Sequence, residues 1–218
     1  MAVRIGYNSQ INRGNIARIF GELITLIEDS RRIGNDEGTV VTLPYSKKSF
    51  GVPNNLYLIG TMNTADRSIQ LLDTALRRRF EFLEMMPDPG HSDMASIEGL
   101  DCGEMLRAMN DRIAVLLDRE HQIGHTYLLG VKDMNKLSAQ FRKQIFPLLQ
   151  EYFFDDWSKI RKVLGENPFV VEKGISDDLL EDNSIDDERR MYGRLADDDD
   201  QWESIAAYRA IYEAKTVG

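Results

Sequence analysis

The chain has 218 residues, enough for one large domain or one domain with an appendage. Its formal net charge of −9 comes from 27 Lys+Arg against 36 Asp+Glu; residues 176–203 hold twelve of the acids and three of the bases, leaving 24 of each elsewhere. This excludes a uniformly acidic protein and a broadly basic surface that coats nucleic acid. Cys102 is the single cysteine, so an intramolecular disulfide and an all-cysteine metal site are excluded. No apolar run approaches the ~20 residues of a membrane span, and no signal-peptide core is present, so a soluble, cytoplasmic chain is expected.

Taken in chain order, Val3 and Ile5 fit a short first strand. Residues 8–15 are polar and read as a loop that caps a helix. Ile16, Ile19, Phe20, Leu23, Leu26 and Ile27 recur at helical spacing, predicting an amphipathic helix that ends before Gly34. Residues 39–43 and 50–52 flank a polar tip, Tyr45-Ser46-Lys47-Lys48, and predict a hairpin. After the turn signal Pro53-Asn54-Asn55 comes the apolar run 56–61, which suits a strand covered on both faces. A helix is predicted over 69–76, closed by Arg77-Arg78-Arg79, and a strand over 80–83. Beyond Pro87-Asp88-Pro89-Gly90 the pattern is helical. Asp101 and Glu104 have reciprocal cap spacing. One helix face carries Met105, Leu106, Met109, Ile113, Leu116 and Leu117; another helix runs from Leu137 to Tyr152 through Pro147, which is expected to kink or break it. The acid-rich stretch 176–203 reads as a flexible linker and 204–218 as a short terminal helix.

Three segments carry chemistry: Ile11-Asn12-Arg13-Gly14-Asn15 running into Ile19-Phe20-Gly21-Glu22-Leu23, Gly60-Thr61-Met62-Asn63-Thr64-Ala65-Asp66-Arg67-Ser68, and Leu72-Asp73-Thr74-Ala75-Leu76-Arg77-Arg78-Arg79-Phe80. Together they resemble the McrB-type AAA+ NTPases, motor subunits of modified-cytosine restriction systems. The resemblance covers about residues 10–165, with Asp118 to Tyr127 fitting the lid. It implies an α/β fold: an incomplete AAA+ (P-loop NTPase-like) core over 1–90 that lacks the Walker A strand, then an α-helical lid over 91–175. It implies that Asn63 is the sensor residue holding the attacking water; on residue type alone Asn63 reads as a turn residue. At least one of Arg77, Arg78 and Arg79 becomes an arginine finger for a neighbouring subunit's nucleotide. Without the resemblance they are cations at a helix C-terminus. Asp66 and His125 become the candidates beside the nucleotide, Asp66 orienting the arginines and His125 facing the pocket from the lid. His121 and His125 are four apart, but with Gly124 between them and no Glu after His121 a metal site is not expected.

The phosphate cradle of this class is Gly-x-x-x-x-Gly-Lys-[Ser/Thr]. No Gly-Lys dipeptide occurs in the 218 residues. At the Walker B positions, where the family has Asp-Glu, stand Ser9 and Gln10, which can neither direct Mg²⁺ nor act as a base. By the resemblance, the cradle's strand belongs between the counterparts of Leu56–Gly60 and of residues 80–83, so both would border an empty slot. The expectation is therefore the C-terminal part of a McrB-like motor, from a truncated or split gene and inactive alone. The alternatives are a non-catalytic assembly subunit and a decayed remnant. Mg-ATP or Mg-GTP is implied, without tight binding to this chain alone. The implied partners are a homo- or hetero-oligomeric AAA+ ring and a nuclease. Neither a direct DNA-binding domain nor a membrane partner is expected.

Overall fold

The computed structural model describes residues 4–8, 21–63, 77–94, 96–173 and 191–213. The chain divides into two compact units, Met1–Glu84 and Met85–Gly218.

In the first unit, β1 (Arg4–Asn8) pairs in parallel with β4 (Leu56–Gly60), with Arg4 opposite Leu56 and Asn8 opposite Gly60. A parallel pair needs a long crossover, and the intervening residues provide it. They include 3₁₀ turns at Gly21–Ile27 and Asp29–Arg31 and the hairpin of β2 (Val41–Thr42) with β3 (Ser49–Phe50). Arg32 ties this crossover together. Its Nε and Nη2 both donate to the Ile27 carbonyl at 3.1 Å, and Nη1 donates to the Leu56 carbonyl at 2.6 Å. Within it, Leu26, Ile27 and Val52 are buried.

Three expectations change here. The amphipathic helix predicted over 16–27 is described only from Gly21, and there it is 3₁₀. Gly21 has φ +51, outside α geometry, and β-branched Ile24, Thr25 and Ile27 favour α-helix weakly. The strand β4 is not covered on both faces among the described residues, since Tyr57 and Ile59 are about half exposed. Residues 80–83 form no strand, and Phe82 and Leu83 are exposed. A strand exists by pairing, and among the described residues β4 pairs only with β1. Ser9, Gln10, Asp66 and the helix predicted over 69–76 lie outside the described residues.

The second unit opens with a hairpin of β5 (Ser96–Ile97) and β6 (Leu100–Asp101). Its two-residue loop, Glu98 (φ +51) and Gly99 (φ +80), has the mirror-image turn geometry that matches strand twist. Asp101 caps α1 (Cys102–Leu116), accepting from the Gly103 and Glu104 N–H groups at 2.8 and 3.0 Å. The cap is one-sided, because the Glu104 carboxylate pairs with Arg107 instead. The predicted 137–152 helix is α2 (Met134–Gln140), a π-helical turn at Phe141–Ile145, and α3 (Phe146–Phe153). Pro147 has no N–H to donate backwards, and one wide turn just before it absorbs the defect where a kink or break is expected. Helix α4 is Trp157–Leu164.

Residues 191–203, inside the stretch expected to be a linker, are folded. Strand β7 (Val170–Lys173) pairs antiparallel with β8 (Met191–Arg194). Trp202 is 1% exposed. Its ring stacks on Phe169 at 4.7 Å and 8° and meets Phe146 edge-on at 5.4 Å. Helix α5 (Ile205–Arg209) adds Tyr208, which is fully buried, is edge-on to Phe141, and donates from its hydroxyl to the Trp202 carbonyl at 2.9 Å. The chain then closes on the start of the unit: Arg209 Nη2 donates to the Gly99 carbonyl at 3.0 Å, and the Asp101 N–H to the Tyr212 hydroxyl at 3.3 Å. One core thus runs from Ile97 to Ile211.

Burial in that core sets an alkaline limit. The Cys102 thiol is pushed up to about 11 by burial and by the Asp101 carboxylate, and the Tyr152 phenol to about 12 by burial together with Tyr127, Glu151 and Asp118. Tyr208 is raised by burial as well. These groups stay protonated in the folded protein at a pH where the unfolded chain has begun to release protons. The unfolded state then binds fewer protons, so stability falls as pH rises. The contribution is complete below about pH 8 and is lost upward from pH 9 through pH 11 and beyond. Urea midpoints followed by tryptophan fluorescence are expected to decline across that window.

Candidate functional site

In a parallel pair, both strands end at the same edge, and ligands of open α/β sheets bind beyond that edge. The register of β1 with β4 puts Asn8 beside Gly60. The Walker B positions Ser9 and Gln10 follow Asn8 directly in sequence, and Thr61-Met62-Asn63 follow Gly60. Asn63 is exposed just past β4.

The three arginines have different surroundings. Arg79 is largely buried and forms an ion pair with Glu28, which lies between the two 3₁₀ turns. Arg77 is exposed, its guanidinium 6.0 Å from the centre of the Phe82 ring. Arg78 is exposed.

His125 lies in the second unit, on a short turn after Gly124. Its Nδ1 accepts the Asp88 N–H at 3.1 Å. A backbone N–H can only donate, so the His125 proton sits on Nε2. The same holds for His91, whose Nδ1 accepts the Asp93 N–H at 3.2 Å. The two rings stack at 5.4 Å and 18°. His125 therefore offers a donor, suited to an acceptor oxygen rather than to a metal ion. His121 belongs to a different arrangement: its Nδ1 is 2.7 Å from the Asp118 carboxylate, and its ring stands edge-on to Tyr152. The four-residue spacing thus does not bring His121 and His125 to one ligand, and among the described residues no group of three metal-ligating side chains forms.

Asn110 was not singled out by the sequence pattern, and it organises this loop. It is 4% exposed on the buried face of α1. Its side-chain amide donates to the Ile123 carbonyl at 2.9 Å, and its oxygen accepts the Ile123 N–H at 2.7 Å. Asp118 starts the same loop by accepting the Glu120 and His121 N–H groups. The legible signal was a polar residue among Leu106, Met109 and Ile113. Asn110→Ala strands both Ile123 groups, at about 1–3 kcal/mol for each buried group left unpaired. Thermal unfolding is expected to show the loss, and hydrogen exchange at the Ile123 amide is expected to accelerate.

Two family models match the chain: an AAA domain of the dynein-related subfamily over residues 4–80, and the McrB alpha-helical lid domain over residues 101–161. The Type IV methyl-directed restriction enzyme EcoKMcrB subunit of Escherichia coli (strain K12) is 37% identical over 187 residues, covering 72% of this chain and 39% of that protein. The chain is a McrB-type AAA+ protein. A second relative, the Type II restriction enzyme BsuMI component YdiS of Bacillus subtilis (strain 168), is 33% identical over 88 residues, covering 35% of this chain and 25% of that protein. The McrB-type chain thus spans under half the length of either curated relative. The AAA match contains β1, β4 and the arginines, and the lid match contains Asn110, His121 and His125. The lid match ends at residue 161, whereas the core of the second unit continues to Ile211. Among the described residues no helix is long and apolar enough to cross a membrane.

Proposed function

We propose that this McrB-type chain is part of the NTP-driven motor of a DNA restriction system. In this reading it contributes the groups that position water and act across a subunit boundary. The observation that carries it is the in-register end of β1 and β4, with Asn63 just beyond. An amide there orients the attacking water, and catalysis of phosphoryl transfer is mostly positioning and charge neutralisation. Arg78 and Arg77 are the exposed cations suited to a neighbour's nucleotide, while Arg79 holds Glu28. His125, with its proton on Nε2, suits a phosphate or carbonyl oxygen. The names of the two relatives, a restriction enzyme subunit and a restriction enzyme component, support partnership with a further restriction subunit; a ring of AAA+ subunits is what the family resemblance implies.

The family implies Mg-ATP or Mg-GTP, and this chain's residues do not fit that group. The Gly-Lys pair of a phosphate cradle is not in the sequence, and Ser9 and Gln10 offer no carboxylate to Mg²⁺ or to water. No hydrolytic step is assigned to a nucleotide held by this chain alone. The same substitutions support a second reading, a non-catalytic member of an AAA+ ring. Mixing the chain with a cradle-bearing McrB-type subunit separates the two. If Asn63 positions water in the mixed ring, Asn63→Ala abolishes the chain's effect on GTP or ATP hydrolysis, a loss of about 10²-fold. If the chain only assembles, Asn63→Ala acts like wild type. A wild-type chain that neither joins the partner's ring nor changes its hydrolysis contradicts both.

A further inference from the structure

Acids make up 36 of the 218 residues, yet none occurs between Glu37 and Asp66, and the only bases in that interval are Lys47 and Lys48. For β4 the cause is ordinary, since strands favour apolar and aromatic residues and are poor in acids. The β2–β3 ribbon has no such cause, because it stands in solvent: Val40 is 56% exposed, Phe50 39% and Tyr45 97%. Its tip is nonetheless held in one shape. The Leu43 N–H donates to the Lys48 carbonyl at 2.9 Å, the Lys47 N–H to the Leu43 carbonyl at 3.0 Å, and the Lys48 N–H to the Ser46 hydroxyl at 3.4 Å. Lys47 sits at φ +55, where glycine or asparagine is least strained. A lysine there costs about 1 kcal/mol, and its exposed side chain returns no packing energy. Among the described residues no ion pair involves Lys47 or Lys48.

We propose that this tip, Tyr45 to Lys48, contacts the backbone of DNA. The two ammonium groups meet phosphates, and the Tyr45 ring lies against a sugar or base edge. The inference rests on the reading of the chain as part of a DNA restriction system. A fixed, narrow, acid-free ribbon with two cations beside a bare aromatic ring suits a polyanion with flat apolar faces better than an acidic protein surface, and a two-stranded ribbon is slim enough for a DNA groove. Two phosphate contacts are weak in one chain, and copies in a ring multiply them.

The test is a titration of the full, ¹⁵N-labelled chain with a short DNA duplex at low salt, without nucleotide. Amide shifts are expected at Tyr45–Lys48, with affinity falling as salt rises at a log–log slope of about −1.8 for two contacts. K47A/K48A is expected to weaken binding at least tenfold and to flatten the slope while melting like wild type, because both side chains are exposed. Lys159→Ala, in the lid beside Asp156, is expected to change nothing. Shifts absent from the tip, a K47A/K48A variant that titrates like wild type, or an equal response to polyglutamate at matched charge would each overturn the proposal. Because no nucleotide is present, a failed DNA contact is distinguishable from a failed motor.

Discussion

Trp202→Ala is expected to destabilise the second unit by about 3–5 kcal/mol. The indole is 1% exposed, stacks on Phe169, meets Phe146 edge-on, and donates from Nε1 to the Ala196 carbonyl at 2.7 Å. Truncation leaves a cavity among Phe146, Phe169 and Tyr208 and an unpaired carbonyl. Trp202→Phe keeps most of the apolar area and loses the Nε1 bond, so a smaller cost of about 1–2 kcal/mol is expected. Urea unfolding reports both changes through Trp157, the other tryptophan of the chain. If residues 191–203 were a solvated linker, neither substitution would move the midpoint.

The three arginines are expected to differ in behaviour. Arg79→Ala breaks a half-buried ion pair with Glu28 and destabilises the first unit, by about 1–2 kcal/mol after allowance for solvent screening. Arg78→Ala leaves stability unchanged, because the side chain is exposed. In a mixed ring with a cradle-bearing subunit, it is expected to lower hydrolysis at the neighbouring site by about 10³-fold or more, the scale of a lost arginine finger. Arg77→Ala falls between them, since its contact with Phe82 is worth about 0.5–1 kcal/mol at most. Melting curves and steady-state hydrolysis on the same three variants check the division. Equal loss of hydrolysis for Arg78→Ala and Arg79→Ala, without loss of stability, contradicts it.

The parts of the fold that were legible in sequence are those whose pattern is local. The run Leu56–Gly60 between a turn signal and a glycine announces a strand, and Asp101 announces the start of α1. The motif after β4 was specific enough to imply the family and the position of Asn63. What escaped was carried by contacts distant in sequence. Strands β7 and β8 are four residues each and separated by an acid-rich segment, so neither shows alternation long enough to read. Trp202 is flanked by Asp197–Asp200 and Glu203, and averaging over that window hides one buried indole behind exposed carboxylates. The strand expected at 80–83 failed for the converse reason: its composition suits a strand, but pairing decides, and no neighbour is paired with it among the described residues. In the candidate site, His121 and His125 stand four apart in sequence. The Asp118 and Asp88 contacts, which no spacing rule contains, assign them to different surroundings.

In the proposed reading, this chain supplies positioning groups to a site whose phosphate cradle another segment provides. Calorimetric titration of the purified chain with Mg-GTP and Mg-ATP tests it most directly. No binding by the chain alone is expected up to millimolar nucleotide. Micromolar, Mg²⁺-dependent binding by these 218 residues would contradict it.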